Sequence, residues 1–145
     1  VALLVSLVLA GCQVSLVTDY SPQAAARING IAKSSMTVFE TLLSVPEAER
    51  QVLWDEKLKP VVLDTSASMR VHQMAEEARG KDNEGNTEIA QLLLANWHDM
   101  SQLFNSNAAL LSNAAIGEFR DQIARQLKAA IKAEEIKRLV ASSSD

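Results

Sequence analysis

The sequence is poor in cysteine, proline, glycine and aromatic residues: its 145 positions include one cysteine, three prolines, five glycines and 4% aromatics. One thiol cannot form an intrachain disulfide, so disulfides do not stabilise this fold. The low proline and glycine content, with 48% hydrophobic residues, fits a folded, helix-rich chain rather than a disordered or fibrous one. A chain of this length can form one domain around one hydrophobic core.

The sequence also lacks an excess of basic residues. It has 14 lysines and arginines against 18 acidic residues, and its formal net charge is -4. Proteins that bind nucleic acid normally carry a basic stripe with aromatic residues that stack on bases, and no such stripe is present. We therefore expect no nucleic-acid partner.

The motifs that would carry catalysis or hold a cofactor are missing as well. A di-iron site in a helical bundle needs Glu-x-x-His pairs, but Met69 stands three residues before His72 and Ala95 three residues before His98. Cys-x-x-Cys-His, a spaced Ser, His and Asp set and a glycine-rich phosphate loop are also absent. We expect no enzymatic activity, no cofactor and no metal. We place both histidines outside the core, His72 in a surface pair with Glu76 and His98 in solvent.

The first residues resemble the secretion signal of a bacterial lipoprotein. Val1 to Leu9 is an uncharged apolar run, too short to span a bilayer but of the length of a signal's hydrophobic region. It leads into Leu9-Ala10-Gly11-Cys12, which resembles a lipobox. The resemblance implies cleavage before Cys12, a diacylglyceryl thioether on its sulfur, and a further fatty acid such as palmitate on the new amino group. The alternative is a buried strand or helix with a core cysteine.

This resemblance sets the expected domains and location. Residues 1–11 would be the signal peptide, 12–20 a lipidated tether, 21–140 a helical bundle and 141–145 a disordered tail. The lipid on Cys12 would hold the protein to a membrane of the cell envelope. Cys12 is followed by Gln13 and not by aspartate. In Gram-negative bacteria this resembles the pattern of lipoproteins that are sent to the outer membrane, where they face the periplasm.

Four segments after the tether carry apolar residues at helical spacing: 22 to about 44, 46 to about 79, 87 to about 104 and 108 to about 140. The predicted core stripes are Ala24, Ile28, Ile31, Ala32, Ser35, Phe39 and Leu42; Leu63, Ala67, Val71, Met74 and Ala78; Ile89, Leu92, Leu93, Asn96, Met100, Leu103 and Phe104; and Ser112, Ile116, Phe119, Ile123, Leu127, Ala130 and Ile131. No segment alternates with the period of a strand. The prediction is an all-α, four-helix up-down bundle with a kink or break near Pro60 and a long C-terminal helix.

Two polar residues interrupt these stripes and are the candidate site residues of the body. Asn96 stands among apolar neighbours in the third helix, and Glu134 continues the line of Leu127 and Ile131. Each would close a hydrogen bond between helices, lie beyond the end of the core, or mark a binding pocket. In the last helix, the mixed charges fit a solvated face, and the alternative is that Ile136, Leu139 and Val140 form a docking edge.

A second resemblance covers most of the mature chain. Leu16-Val17-Thr18-Asp19-Tyr20 after the cysteine and the Lys/Glu-rich segment 127–138 look like a group of small, uncharacterised helical envelope lipoproteins. The resemblance implies a helical, periplasm-facing lipoprotein with no assigned activity, and it transfers no catalytic residue.

Together these patterns favour a non-enzymatic, membrane-tethered bundle that binds another protein or has a structural role in the envelope. The alternative is a small-ligand carrier or an enzyme that uses the bundle interior, with groups such as Asn96 lining a cavity. A deep pocket with convergent polar groups would favour the alternative. A filled core with an exposed apolar patch would favour a protein partner.

Overall fold

The computed structural model describes residues 19–106 and 111–143, and these residues form four helical rods. The first rod is α1 (Pro22–Leu43). The second consists of α2 (Arg50–Leu53), a π-helical turn (Trp54–Leu58) and α3 (Lys59–Glu77) in succession. The third is α4 (Glu84–Ser106), and the fourth is α5 (Asn113–Ser142). No strand occurs in these described ranges, so the all-α prediction is confirmed. The signal, Cys12 and the predicted helix start at Ala108 lie outside the described residues.

The rods are arranged as predicted for an up-down bundle. α1 packs against α3 and α5, and α4 packs against the same two helices. The start of α1, the end of α3, the start of α4 and the end of α5 therefore meet at one end, which we call the Asp19 end. The opposite end, where α1 is followed by α2, is the Arg50 end. None of the described helices is both long enough and apolar enough to cross a membrane.

Serine caps fix where the first and last helices begin. The hydroxyl of Ser21 accepts a hydrogen bond from the amide of Ala24 at 3.2 Å, and Pro22 occupies the first turn. Ser112, predicted on a core stripe, instead caps α5 by accepting from the amide of Ala115 at 3.2 Å. α5 thus starts later than predicted and extends to Ser142, two residues into the predicted tail.

The core stripe of α1 is confirmed, and that of α5 is confirmed from Ile116 onwards. Phe39 of α1 packs edge-on against Trp97 of α4, with ring centroids 5.9 Å apart. Phe119 of α5 is partly buried and packs on Phe104 in the same way. The large, fully buried side chains of the core are Ile28, Phe39, Leu42, Trp54, Met69, Leu93, Trp97, Met100, Phe104, Leu111, Ile116 and Ile123.

The predicted stripe of the second rod is wrong. Leu63, Val71 and Met74 are 68%, 56% and 60% exposed. The buried stripe lies on the opposite face of α3 and consists of Val62, Thr65, Met69, His72 and Glu76. Three of these five buried residues, Thr65, His72 and Glu76, are polar. The outward face of α3 is therefore more apolar than the buried face, and the apolar pattern predicted the wrong face.

The predicted stripe of α4 is right for Leu93, Met100 and Phe104, but the buried face is centred further round the helix, towards Ala90 and Trp97. Trp97 is fully buried and donates its indole hydrogen bond to the carbonyl of Val62 at 3.1 Å, whereas Asn96 beside it is only half-buried. Leu92 and Leu103, predicted as core, are 54% and 42% exposed. The large indole fills the interior that the pattern had assigned to the smaller Asn96.

The irregularity predicted near Pro60 is a π-helical turn just before α3. Proline has no amide hydrogen, and its ring collides with the carbonyl four residues earlier in a regular α-helix. The turn at Trp54–Leu58 changes the hydrogen-bond pattern at that point, so the rod continues through Pro60. Trp54 and Leu58 remain buried, and Trp54 donates to the side chain of Asn105 at 2.9 Å.

Candidate functional site

Polar and charged side chains converge inside the Asp19 end of the bundle. α3 supplies two of them, the residues between α3 and α4 supply two, and α5 supplies two. We call this group the polar cluster, and its members are His72, Glu76, Arg79, Asn83, Glu134 and Lys137. Arg79 is partly buried, and the other five are at most 5% exposed.

Glu134, one of the two predicted polar core residues, is the acceptor at the centre of the cluster. Its Oε1 accepts from Nζ of Lys137 at 2.8 Å and from Nη1 of Arg79 at 3.0 Å. Burial alone would raise the pKa of Glu134, but the hydrogen bonds and charges of Lys137 and Arg79 outweigh it and lower that pKa. Glu134 is therefore a carboxylate near neutral pH, and it links α5 to the end of α3.

Asn83 joins the second carboxylate to α5. Its side-chain amide donates to the backbone carbonyl of Glu76 at 2.9 Å and to the Glu76 carboxylate at 2.7 Å. Its side-chain oxygen accepts from Lys137 at 3.0 Å and from Asn86 at 2.7 Å. The two carboxylates are balanced by Arg79 and Lys137, so the cluster is neutral when His72 is uncharged.

His72 is buried in this cluster, so its predicted place outside the core is wrong. It is 4% exposed, and its Nδ1 lies 3.9 Å from Oε1 of Glu76 without a hydrogen-bond partner among the described residues. Burial lowers the pKa of His72, and the negative charge of Glu76 only partly opposes this effect. His72 is therefore neutral at pH 7, whereas His98 is exposed, as predicted.

The space inside the cluster is small. A cavity of about 10 Å³ is lined by His72, Glu76, Asn86, Ile89, Ala130 and Glu134. This cavity is large enough for about one water molecule. Two of the residues that line it have a buried atom without a hydrogen-bond partner among the described residues, Nδ1 of His72 and Oε2 of Glu134. In the described ranges, no set of three or more His, Cys, Asp or Glu side chains could hold a metal ion. The cluster can connect helices, but it has no room for an organic substrate.

The other candidate residue, Asn96, takes no part in the cluster. It is half-buried on α4 and is not among the residues that line the cavity of the cluster. Sequence reasoning also missed Lys137, Asn83 and Arg79. Lys137 carried a usable signal, because it stands three residues after Glu134 and so lies on the same helix face.

A second feature is an apolar stripe on the solvent side of α3, which we call the α3 stripe. Its members, Leu63, Ala67, Val71 and Met74, follow one another at spacings of four, four and three, directly opposite the buried face. An open recess of about 380 Å³ lies between α1 and α3 beside it, lined by Ala26, Arg27, Gly30, Ile31, Ala67, Ser68 and Val71. Small and apolar residues make up most of this recess.

Comparison of the chain with protein-family models, with curated proteins and with solved structures gives no match.

The stability of the bundle is expected to fall as the pH drops below 6.5. The unfolded chain protonates His72 near its ordinary pKa of 6.5, whereas the folded chain keeps it neutral to lower pH, so the unfolded state binds more protons in this window. The lowered pKa of Glu134 adds a second loss only near and below its ordinary value of 4.5. Urea unfolding between about pH 8 and pH 5 measures the effect of His72, and extending the series to about pH 4 adds that of Glu134.

The matched substitutions for this measurement are His72→Gln and His98→Gln. The first should remove the pH dependence between about pH 7 and pH 5.5, and the second should preserve it, since His98 is exposed. Equal pH dependence in the His72→Gln variant and the parent protein would contradict a buried, neutral His72.

Proposed function

We propose that this protein is a lipid-anchored, non-enzymatic helical bundle of a bacterial cell envelope that binds another protein through the α3 stripe. The observation that carries the proposal is the exposure of Leu63, Val71 and Met74 on one line of a helix whose opposite face already forms the core. Scattered apolar residues are common on protein surfaces, but a continuous apolar line on one helix indicates a contact surface.

The shape and charge of this surface suggest the chemistry of the partner. The line from Leu63 to Met74 is apolar but is flanked by two exposed charges, Arg70 and Asp64, so the partner face should be apolar at its centre and able to pair with charges at its edges. The recess between α1 and α3 is lined by small residues such as Ala26, Gly30 and Ala67, and it can receive large side chains. An amphipathic helix supplies such side chains every three or four residues, so a helix of another protein is the proposed occupant.

The interior supports this function over that of a carrier or an enzyme. The cavity of the polar cluster measures about 10 Å³, whereas small-molecule sites usually have about 300 to 1,000 Å³. The charged groups of the cluster are paired with one another, so their role is to connect helices. The anchor is proposed from Leu9-Ala10-Gly11-Cys12, and Gln13 supports placement on the periplasmic side of the outer membrane in a Gram-negative host.

Replacing Cys12 with alanine is expected to abolish the anchor. The variant should remain uncleaved by the lipoprotein peptidase and should not incorporate radioactive fatty acid, because the sulfur that carries the lipid is gone. Gel mobility and labelling of growing cells measure the two effects. Fatty-acid labelling of the Cys12→Ala variant would contradict the anchor, and Ser15→Ala, which keeps the cysteine, is the matched control.

A photoreactive amino acid at Val71 is expected to crosslink a second protein in intact envelopes, whereas one at exposed Asp121 of α5, a helix that does not pack against α3, should not. Leu63→Glu with Val71→Glu should abolish binding without unfolding the bundle, since both side chains are largely exposed and substitutions there usually change stability by no more than about 0.5 kcal/mol. The captured protein, once purified, should bind the parent chain directly and be crosslinked on the apolar face of a helix. A product containing two copies of this chain, or binding that survives both glutamates, would contradict the proposal.

A further inference from the structure

The outward face of α5 changes in character along its length. One exposed line of residues, which we call the α5 stripe, consists of Arg125, Lys128, Lys132, Ile136 and Leu139. Its members are spaced by three or four residues, so they share one helix face. The stripe is basic over three positions and then apolar, and Val140 lies beside its apolar end. Ile136, Leu139 and Val140 are 48%, 56% and 47% exposed, so this end of the stripe presents apolar surface to solvent.

The charge of this region is predominantly positive. Between residues 125 and 143 the exposed charged residues of α5 are four basic ones, Arg125, Lys128, Lys132 and Arg138, and one acidic one, Glu135. The other two charged residues of this span, Glu134 and Lys137, neutralise each other inside the polar cluster. Exposed basic and apolar side chains that lie close together can contact an anionic membrane surface, the apolar ones among the lipids and the basic ones at the phosphates.

The chain enters the bundle beside the apolar end of this stripe. The backbone carbonyl of Asp19 accepts a hydrogen bond from Arg79, which fixes the entry point at the Asp19 end. Tyr20 lines a recess of about 310 Å³ between α1 and α5 together with Ile131 and Arg138. The first described residues, Asp19 and Tyr20, therefore lie next to the last turns of α5.

The length of this connection places the stripe close to the proposed anchor. Seven peptide units separate Cys12 from Asp19, so the two residues are at most about 25 Å apart even in a fully extended chain. A contact too weak to hold a free protein on a membrane becomes significant at this distance, because a short linker raises the effective concentration into the millimolar range.

We propose that the α5 stripe lies on a membrane surface that contains anionic phospholipids, an inference that depends on the proposed lipid anchor at Cys12. Ile136, Leu139 and Val140 insert among the lipids next to the tether, and Lys128 and Lys132 contact the phosphates. From Arg125 to Leu139 the stripe is about 21 Å long, so this contact orients the bundle on its side. The α3 stripe, on another helix, remains available to the protein partner.

The test uses the lipidated full chain on vesicles of phosphatidylcholine with and without phosphatidylglycerol. Because Cys12 is the only cysteine and is acylated in this protein, Leu139→Cys supplies one thiol for a nitroxide label. With phosphatidylglycerol the label should be shielded from a water-soluble nickel reagent and accessible to oxygen. Leu103→Cys, an exposed leucine towards the Arg50 end, is the matched control and should stay accessible to nickel.

Lys128→Gln with Lys132→Gln should reduce the ratio of shielded to exposed label about 25-fold, since each lysine near an anionic surface contributes about fivefold. The same changes at Lys33 and Lys57, which are on other helices, should have little effect. A label at position 139 that stays accessible to nickel while the protein floats with the vesicles would overturn the inference and leave the anchor intact. If the labelled protein with all its lysines does not float with the vesicles, the anchor and the inference are both refuted. Shielding that requires an added envelope protein would assign the α5 stripe to a protein contact instead.

Discussion

Lys137→Met is expected to lower the free energy of unfolding by about 3 to 5 kcal/mol, because it removes one partner from a buried charge network. Nζ of Lys137 donates to Glu134 at 2.8 Å and to Asn83 at 3.0 Å, and its side chain is 5% exposed. Methionine preserves much of the volume of the side chain but leaves Glu134 with Arg79 alone. Urea unfolding followed by circular dichroism at neutral pH measures the loss.

The matched control is Lys132→Met, a change of the same kind on the same helix. Lys132 is exposed, and surface substitutions usually change stability by no more than about 0.5 kcal/mol. Similar effects of the two substitutions would mean that the buried pairing does not hold in solution.

Arg50→Met, a change at the Arg50 end of the bundle, is expected to lower the free energy of unfolding by about 2 to 6 kcal/mol. The guanidinium of Arg50 is buried and donates to the carbonyl of Leu42 at 2.8 Å through Nε and to that of Leu111 at 2.8 Å through Nη1. It also donates to Val45 and to the side chain of Asn113. Two buried carbonyls would lose their donor, and each such loss costs about 1 to 3 kcal/mol.

Arg120→Met provides the control for this prediction. Arg120 forms its ion pair with Asp121, the adjacent residue, at 3.0 Å, and the side chains are 38% and 57% exposed. Exposed pairs of this kind contribute little to stability, so the change should be small. A loss below about 1 kcal/mol for Arg50→Met in the same urea experiment would show that Arg50 does not hold the end of α1 to the start of α5.

The helix stripes could be predicted where the buried face is also the most apolar face. In α1 and α5 the two coincide, and Ile28, Phe39, Ile123 and Leu127 are buried as expected. In α3 they are opposite faces, because Thr65, His72 and Glu76 are buried while Leu63 and Val71 are exposed. A pattern of hydrophobicity contains no information about which polar side chains find partners on other helices.

The candidate site was predictable only in part for the same reason. Glu134 could be recognised because it continues a core stripe, but its partners could not. Arg79 lies 55 residues before it, and Asn83 lies 54 residues before Lys137. These pairings arise when α3, the start of α4 and α5 come together, so they depend on tertiary structure. Arg50 was missed similarly, since its acceptors are mostly backbone carbonyls at the ends of other helices.

The polar cluster also determines how far each helix may slide along its neighbours. A shift of α5 by one helical turn moves its side chains about 5.4 Å, a distance over which one leucine can replace another in an apolar contact. The same shift would separate Lys137 from Asn83 and Glu134 from Arg79, whose atoms are 3.0 Å apart in both pairs. Buried charges would then lack partners at a large cost in free energy. The alignment of the four rods is thus encoded at the Asp19 end by hydrogen bonds that a shifted register would break, in addition to the edge-on aromatic contacts of the core.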